Sequence, residues 1–275
     1  MSTYYSRIKF SFGVLLLLAG LSLAAGAAKT TKNATKYPST AGDKIVVAAG
    51  RLIMIDRATK SVLWQTTELR NAFSVARLPN GEFLVGEGNS LARVSGEGKL
   101  ITRTENRFRL TMGVKLLENG HILICDGSGG TVQEIDWSGQ VFWSVSKLHH
   151  PSEAVRLVNG NTLVADGTAG LKEFDSAGVL LKTIWLKRWA AAVERLPDGT
   201  TLVGESHSFE LLDQAGRPIW TIPTTSRVTG VQKISDTEYL VVQPDAGSVA
   251  ILDAGGRISW EMTGLRLPWH ALHIP

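Results

Sequence analysis

The sequence holds a single cysteine, Cys125, in 275 residues. An intramolecular disulfide is therefore excluded, and the fold must be held by packing alone. An excess of one charge is also missing, since 29 Lys and Arg face 25 Asp and Glu, a formal charge of +4. So mild a balance gives no electrostatic reason to expect a nucleic-acid partner. No segment carries a convincing helical period of apolar residues, which argues against a helical architecture. No Gly-x-Ser-x-Gly elbow, phosphate-loop pattern or EF-hand loop occurs. No cofactor and no dedicated metal site is expected on these grounds.

Long apolar runs are absent except at the N-terminus. Arg7 and Lys9 precede an apolar stretch from Phe10 to Ala25, and Ala25-Gly26-Ala27 fits a small-x-small cleavage pattern. Residues 1–27 thus read as a signal peptide, which implies a periplasmic or extracellular protein. The run is short for a membrane span of roughly 20 residues, so membrane contact is expected only if the segment is retained. Residues 28–38 are polar and basic and read as a flexible linker, in which Asn33 begins a glycosylation sequon.

What is present is a repeat. Ala76–Gly81, Lys115–Gly120, Val155–Gly160 and Glu194–Gly199 align, and Gln232–Thr237 is a fifth copy without its glycine. The steps between their last residues are 39, 40, 39 and 38. In each copy an apolar strand leads to an Asn-Gly or Asp-Gly turn. Such dipeptides suit a two-residue hairpin in which both central residues take positive φ. A β-rich strand follows, then a Gly/Ser-rich loop, a third strand ending in Asp, a second turn and a fourth strand. That last hairpin places Trp seven residues after Asp in Asp136–Trp143, Asp213–Trp220 and Asp253–Trp260. Asp56 to Trp64 has one extra residue, Trp185 comes three positions late after Asp175, and Ser95 to Thr102 is a degenerate copy. The Trp column reads as an aromatic layer between adjacent sheets.

Four short antiparallel strands per repeat predict an all-β, six-bladed β-propeller over residues 39–275. The chain ends at His270–Pro275 on a first strand without its turn, and Ala41–Val47 supplies a turn and second strand without a first. The two ends therefore complete one composite blade, and this closure removes the open sheet edge. Residues 39–275 number 237, or six repeats of 39.5, with nothing left over.

The segment Leu157-Val158-Asn159-Gly160-Asn161-Thr162-Leu163-Val164-Ala165-Asp166 resembles bacterial propellers with quinoprotein-like, WD40-like and arylsulfotransferase-like repeats. The resemblance implies the fold and no particular activity. Quinoprotein dehydrogenases are usually eight-bladed with a vicinal disulfide at the cofactor, which one cysteine cannot supply. No arylsulfotransferase catalytic motif can be matched.

Propellers often bind ligands where inter-blade loops meet the axis. A basic column precedes each innermost strand by four positions: Arg70, Arg109, His149, Arg188, Arg227 and Arg266. An acidic column, Glu87, Asp126, Asp166 and Glu205, then Gln243, ends each second strand. Convergent guanidinium groups suit a carboxylate, sulfate or phosphate. The same columns also fit one Arg–carboxylate staple per blade, serving the fold of each repeat.

Departures from the repeat point elsewhere. The residues that start the innermost strands are Ser74, Gly113, Glu153, Ala192, Gly230 and His270. Glu153 and His270 break a column of small residues on opposite blades, near His149, His150, Trp189 and Trp269. They suit acid–base catalysis or, with a neighbouring His, a divalent metal. A pairing of Glu153 with a nearby Arg, with His270 filling space, fits as well. Cys125 reads as a small buried residue. The first expectation is a non-catalytic module that holds an anionic small molecule, glycan or peptide at the funnel face. The alternatives are a funnel-mouth lyase, hydrolase or transferase that uses His270 and Glu153, and a protein–protein scaffold.

Overall fold

A computed structural model describes residues 42–104, 107–167 and 170–275. The signal peptide, linker and sequon of the sequence reading lie outside the described residues. Among those described, every regular element is a strand, and the strands form six four-stranded antiparallel sheets.

Blade 1 is composite, with His270–Ile274 innermost, then Lys44–Ala48, Leu52–Asp56 and Val62–Gln65. Blade 2 is Ala72–Arg77, Phe83–Glu87, Ser90–Val94 and Leu100–Arg103. Blade 3 is Thr111–Leu116, Ile122–Asp126, Thr131–Ile135 and Val141–Val145. Blade 4 is Pro151–Arg156, Thr162–Asp166, Leu171–Phe174 and Leu180–Ile184. Blade 5 is Ala190–Arg195, Thr201–Glu205, Ser208–Leu212 and Pro218–Pro223. Blade 6 is Gly230–Lys233, Tyr239–Gln243, Ser248–Leu252 and Ile258–Met262.

The innermost strands touch in sequence around the axis, and the last strand of the chain touches both the innermost strand of blade 6 and that of blade 2. The ring is thereby closed. Its seal is the ladder from Lys44 opposite Ile274 to Ala48 opposite His270.

The first turn of each repeat has a different geometry from the one expected. Gly81, Gly120, Gly160 and Gly199 take φ between 82° and 86°, whereas Asn80, Asn119, Asn159 and Asp198 are not in the positive-φ region. In blade 2 the Gly81 amide donates to the Leu78 carbonyl, and the Leu78 amide donates to that of Glu82. This is a type I turn followed by a left-handed glycine, one of the common longer hairpin loops. Pro79 and Pro197 occupy the second turn position, where fixed φ suits type I. The Asn or Asp contributes its side chain instead of its backbone freedom, as Asn159 Oδ1 accepts from the Asn161 amide at 3.1 Å.

The core is divided among the seams between blades. Phe83, Val85 and Val94 of blade 2 pack with Val46, Ala48 and Leu52 of blade 1, and comparable clusters fill the other seams. The Trp column lies in those seams. Trp143 Nε1 donates to the Asp175 carbonyl of blade 4 at 3.1 Å, and Trp260 Nε1 donates to the Arg57 carbonyl of blade 1 at 2.7 Å. Trp220 packs edge-on against Tyr239 of blade 6 at 5.4 Å. In blade 4 the register gives this seat to Lys182, opposite Glu173, and Trp185 is left exposed. Lys182 Nζ replaces the indole donor and meets the Gln214 and Ala215 carbonyls of blade 5.

Candidate functional site

The acidic column does staple the inter-blade loops, but not by pairing with the basic side chains. Its carboxylates are buried, and those of Glu87, Asp126 and Asp166 accept from backbone amides of the loops. Glu87 takes the Arg70 amide at 2.5 Å, Asp126 the Arg109 and Leu110 amides at 2.9 Å each, and Asp166 the His149 and His150 amides at 2.7 and 3.0 Å. Remaining lone pairs go to other donors, with Glu87 bound by Arg103, Asp166 by Lys172 Nζ at 2.7 Å, and Glu205 by the Ser208 hydroxyl at 2.6 Å. The side chains of Arg70, Arg109, His149, Arg188 and Arg266 are left exposed on the loop face.

Arg227 does not belong to that column. Gly230 pairs with Val242 as Ala192 pairs with Gly204, so the repeat is one residue shorter here and Ser226 holds the column position. Gln243 Nε2 accordingly donates to the Ser226 hydroxyl at 3.3 Å. Arg227, one residue nearer the strand, forms a bidentate pair with Asp245 at 2.9 and 2.7 Å and lies 5.5 Å above the Trp269 ring.

Near the axis on the loop face, Met112, His150, Trp189, Arg227 and Trp269 border a small pocket with about 10 Å³ of free space, roughly room for one water. His150 and Trp189 rings stand 5.4 Å apart.

The innermost strands also bring charge together. Glu153 is 4% exposed and His270 9%, and His270 Nε2 approaches Glu153 Oε1 to 3.6 Å from the opposite blade. Two further contacts complete the carboxylate's shell. Lys115 Nζ lies 2.8 Å from Oε1, and the Val193 amide donates to Oε2 at 2.9 Å. Burial by itself opposes the charge of Glu153, but Lys115 and then His270 outweigh it and hold its pKa at about 2. Burial likewise opposes the charge of Lys115, and Glu153 overrides it to raise that ammonium. Cys125 nearby is buried, and its thiol is pushed well up by that burial.

The sequence reading thus brought Glu153 and His270 together correctly in space but assigned the carboxylate an arginine partner, where the structure supplies Lys115. His149 stays on the surface, and His150 packs on Trp189. Among the described residues no group of three His, Cys, Asp or Glu side chains converges as a metal site.

The open space on the loop face lies to one side, between blades 1 and 2. A groove of about 510 Å³ runs past Thr66, Phe73, Trp269, Arg51 and Arg266. Phe73 and Trp269 meet edge to face at 5.7 Å. Among the described residues neither Arg51 nor Arg266 has an acidic partner within ion-pair distance, and Arg51 makes a long 3.4 Å contact to Gln65. Two residues on the wall, Asn71 and Leu267, have φ of 75° and 49°. Left-handed backbone at a non-glycine residue costs energy, and such strain gathers at ligand sites. Arg51 was missed from the sequence because it stands in the second-to-third-strand loop, whose length and residues vary from blade to blade.

No family model and no curated relative matches the sequence. The fold is similar to that of a protein of unknown function from Bacteroides caccae, with a TM-score of 0.70 and 17% identity over 84% of this chain and 98% of that one. A chain of a nidogen/laminin complex is similar at a TM-score of 0.67 and 14% identity, covering 84% and 98%. Virginiamycin B lyase from Staphylococcus aureus, in a catalytically inactive variant with quinupristin, gives 0.60 and 12% identity over 80% of each chain.

Proposed function

We propose that this propeller is a non-catalytic binding module that holds an anionic ligand with an apolar body in the groove between blades 1 and 2. The carrying observation is the pairing of two arginines, Arg51 and Arg266, which have no acidic partner among the described residues, with an aromatic floor of Phe73 and Trp269. Guanidinium groups receive a carboxylate, sulfate or phosphate bidentately, and an aromatic face covers a ring or an aliphatic chain. The candidates are an anionic small molecule, an acidic glycan or an acidic peptide. The type of repeat that the sequence resembles adds nothing to this choice. An extracellular or periplasmic setting, taken from the N-terminal segment, would give such a module its ligand outside the cytoplasm.

The named neighbours point in different directions, one being a lyase and one part of a protein complex. At such low identity they support the fold alone. A lyase-like use of Glu153 and His270 would need the carboxylate free for substrate, and both of its oxygens already have partners.

Calorimetric titration with aryl carboxylates, uronic-acid oligosaccharides and acidic peptides tests the proposal. At least one class should bind, with affinity that falls as salt is raised. The double variant Arg51→Ala/Arg266→Ala should lose it by more than roughly tenfold, the scale of one charge-assisted hydrogen bond or more. Equal loss in Arg70→Ala/Arg109→Ala would move the site off this groove.

A further inference from the structure

The seam between blades 2 and 3 lacks the tryptophan that four of the other five contain; the seam after blade 4 holds Lys182 instead. Trp64 of blade 1 lies against Gly98 and Phe83 of blade 2, and Trp143, Trp220 and Trp260 fill the seams that follow blades 3, 5 and 6. The equivalent residue of blade 2 is Thr102, since it stands opposite Arg93 as Trp143 stands opposite Glu134, each just before a bulge. Threonine is too small for the seat. A cavity of about 230 Å³ remains there, walled by Leu84, Leu91, Ile122 and Ile135, with Thr102 and Trp137 also against it. Empty apolar space of this order accepts small aromatic molecules, since an engineered cavity of about 150 Å³ takes up benzene.

The far wall supplies a polar mark. Trp143 donates its indole N–H to the Asp175 carbonyl of the next blade. Asp136 holds the same place in the turn of blade 3, with its Gly139 three residues on, as Gly178 follows Asp175. Both Asp136 and Gly139 line the cavity. The Arg107 guanidinium lies over Gly139, as Trp64 lies over Gly98, and donates to the Ser138 carbonyl at 3.2 Å, and Arg93 also lines the cavity, so a ring seated there would meet two cationic groups beside the apolar walls.

We propose that this seam is a binding site for a small planar aromatic molecule of the indole class, seated where blades 1, 3, 5 and 6 place a tryptophan side chain. The apolar walls take the ring, and the Asp136 carbonyl accepts from its N–H. The site is separate from the loop-face groove, so either can fail without the other.

The test uses the full chain and indole itself. Indole should bind saturably, and 1-methylindole, which has no donor, should bind roughly fivefold more weakly, as for one net hydrogen bond. Thr102→Trp should fill the seat from within, raise Tm and abolish indole binding. Saturable binding that survives in the folded variant would overturn the proposal, as would no saturable binding to the parent. Should the variant fail to fold, amide chemical shifts of the parent decide the matter. Indole-dependent shifts at Thr102, Thr104 and Gly139 support the site, and shifts confined to other residues reject it.

Discussion

The axis and the loop face of this propeller treat charge in opposite ways. At the axis, Glu153 is buried and fully partnered by Lys115, the Val193 amide and His270. On the loop face, Arg51 and Arg266 border open space without an acid. The first arrangement joins the innermost strands of blades 1, 3, 4 and 5 across the centre, so it serves the ring. The second contributes little to folding, because exposed charges lose little by being left in water. A cluster of charge is therefore informative about function here only where its partners are missing.

The contrast is sharpest for Glu153→Ala. This change leaves buried polar groups on Lys115, His270 and Val193 without their acceptor, and should cost about 3–5 kcal/mol of stability in denaturant unfolding. Acid should reproduce much of that loss in the parent. The folded pKa of Glu153, about 2, lies below its ordinary value of 4.5. Its contribution is therefore complete above the ordinary value and fades as pH falls from there toward 2. The difference integrates to about 3 kcal/mol. Glu153→Gln should lack this acid limb, and stability measured at a series of pH values would show whether it does.

At the rim the expected effects are smaller and divide cleanly. Asp166→Ala removes the acceptor of two loop amides and Lys172, and should cost about 1–3 kcal/mol. Arg266→Ala should stay within about 0.5 kcal/mol. A larger cost for Arg266→Ala would erase the distinction between stapled and free charge.

The smallest effect is expected at Glu194. Burial, only partly offset by Lys115, raises its pKa. Because the folded value lies above the unfolded one, the group favours folding at low pH and opposes it as pH rises through the folded value. Glu194→Gln keeps an acceptor for the Lys233 amide. It should raise Tm at neutral pH and lose that advantage in acid, as a thermal scan at both pH values would reveal.

The blade count, the closure and the seam position of the Trp column were legible because turn residues and large aromatics recur at fixed spacing. The form of the Asn-Gly turn was not, since a type I turn with a left-handed glycine and a two-residue turn demand the same dipeptide. Glu153 and His270 stood out as bulky residues in a small-residue column. Lys115 did not, because it lies two positions further along its strand, in a column that includes Val155, Glu194 and Gln232 and has no common character. Arg227 was misplaced by a repeat that shortens by one residue, a shift that equal spacing conceals. That Met112, Trp189 and Trp269 meet around one small pocket depends on how they lean together, and one-dimensional spacing carries no information on that.

The composite blade also sets a schedule for synthesis. Lys44 leaves the ribosome 230 residues before Ile274, its partner in the ladder. At about 5–20 residues per second that interval is on the order of 10–50 s. Throughout it, the Lys44–Ala48 strand keeps an unpaired edge of the kind that recruits other strands. The ring can be sealed only once His270–Ile274 has been made, so the nascent chain must be protected from other copies of itself throughout that interval.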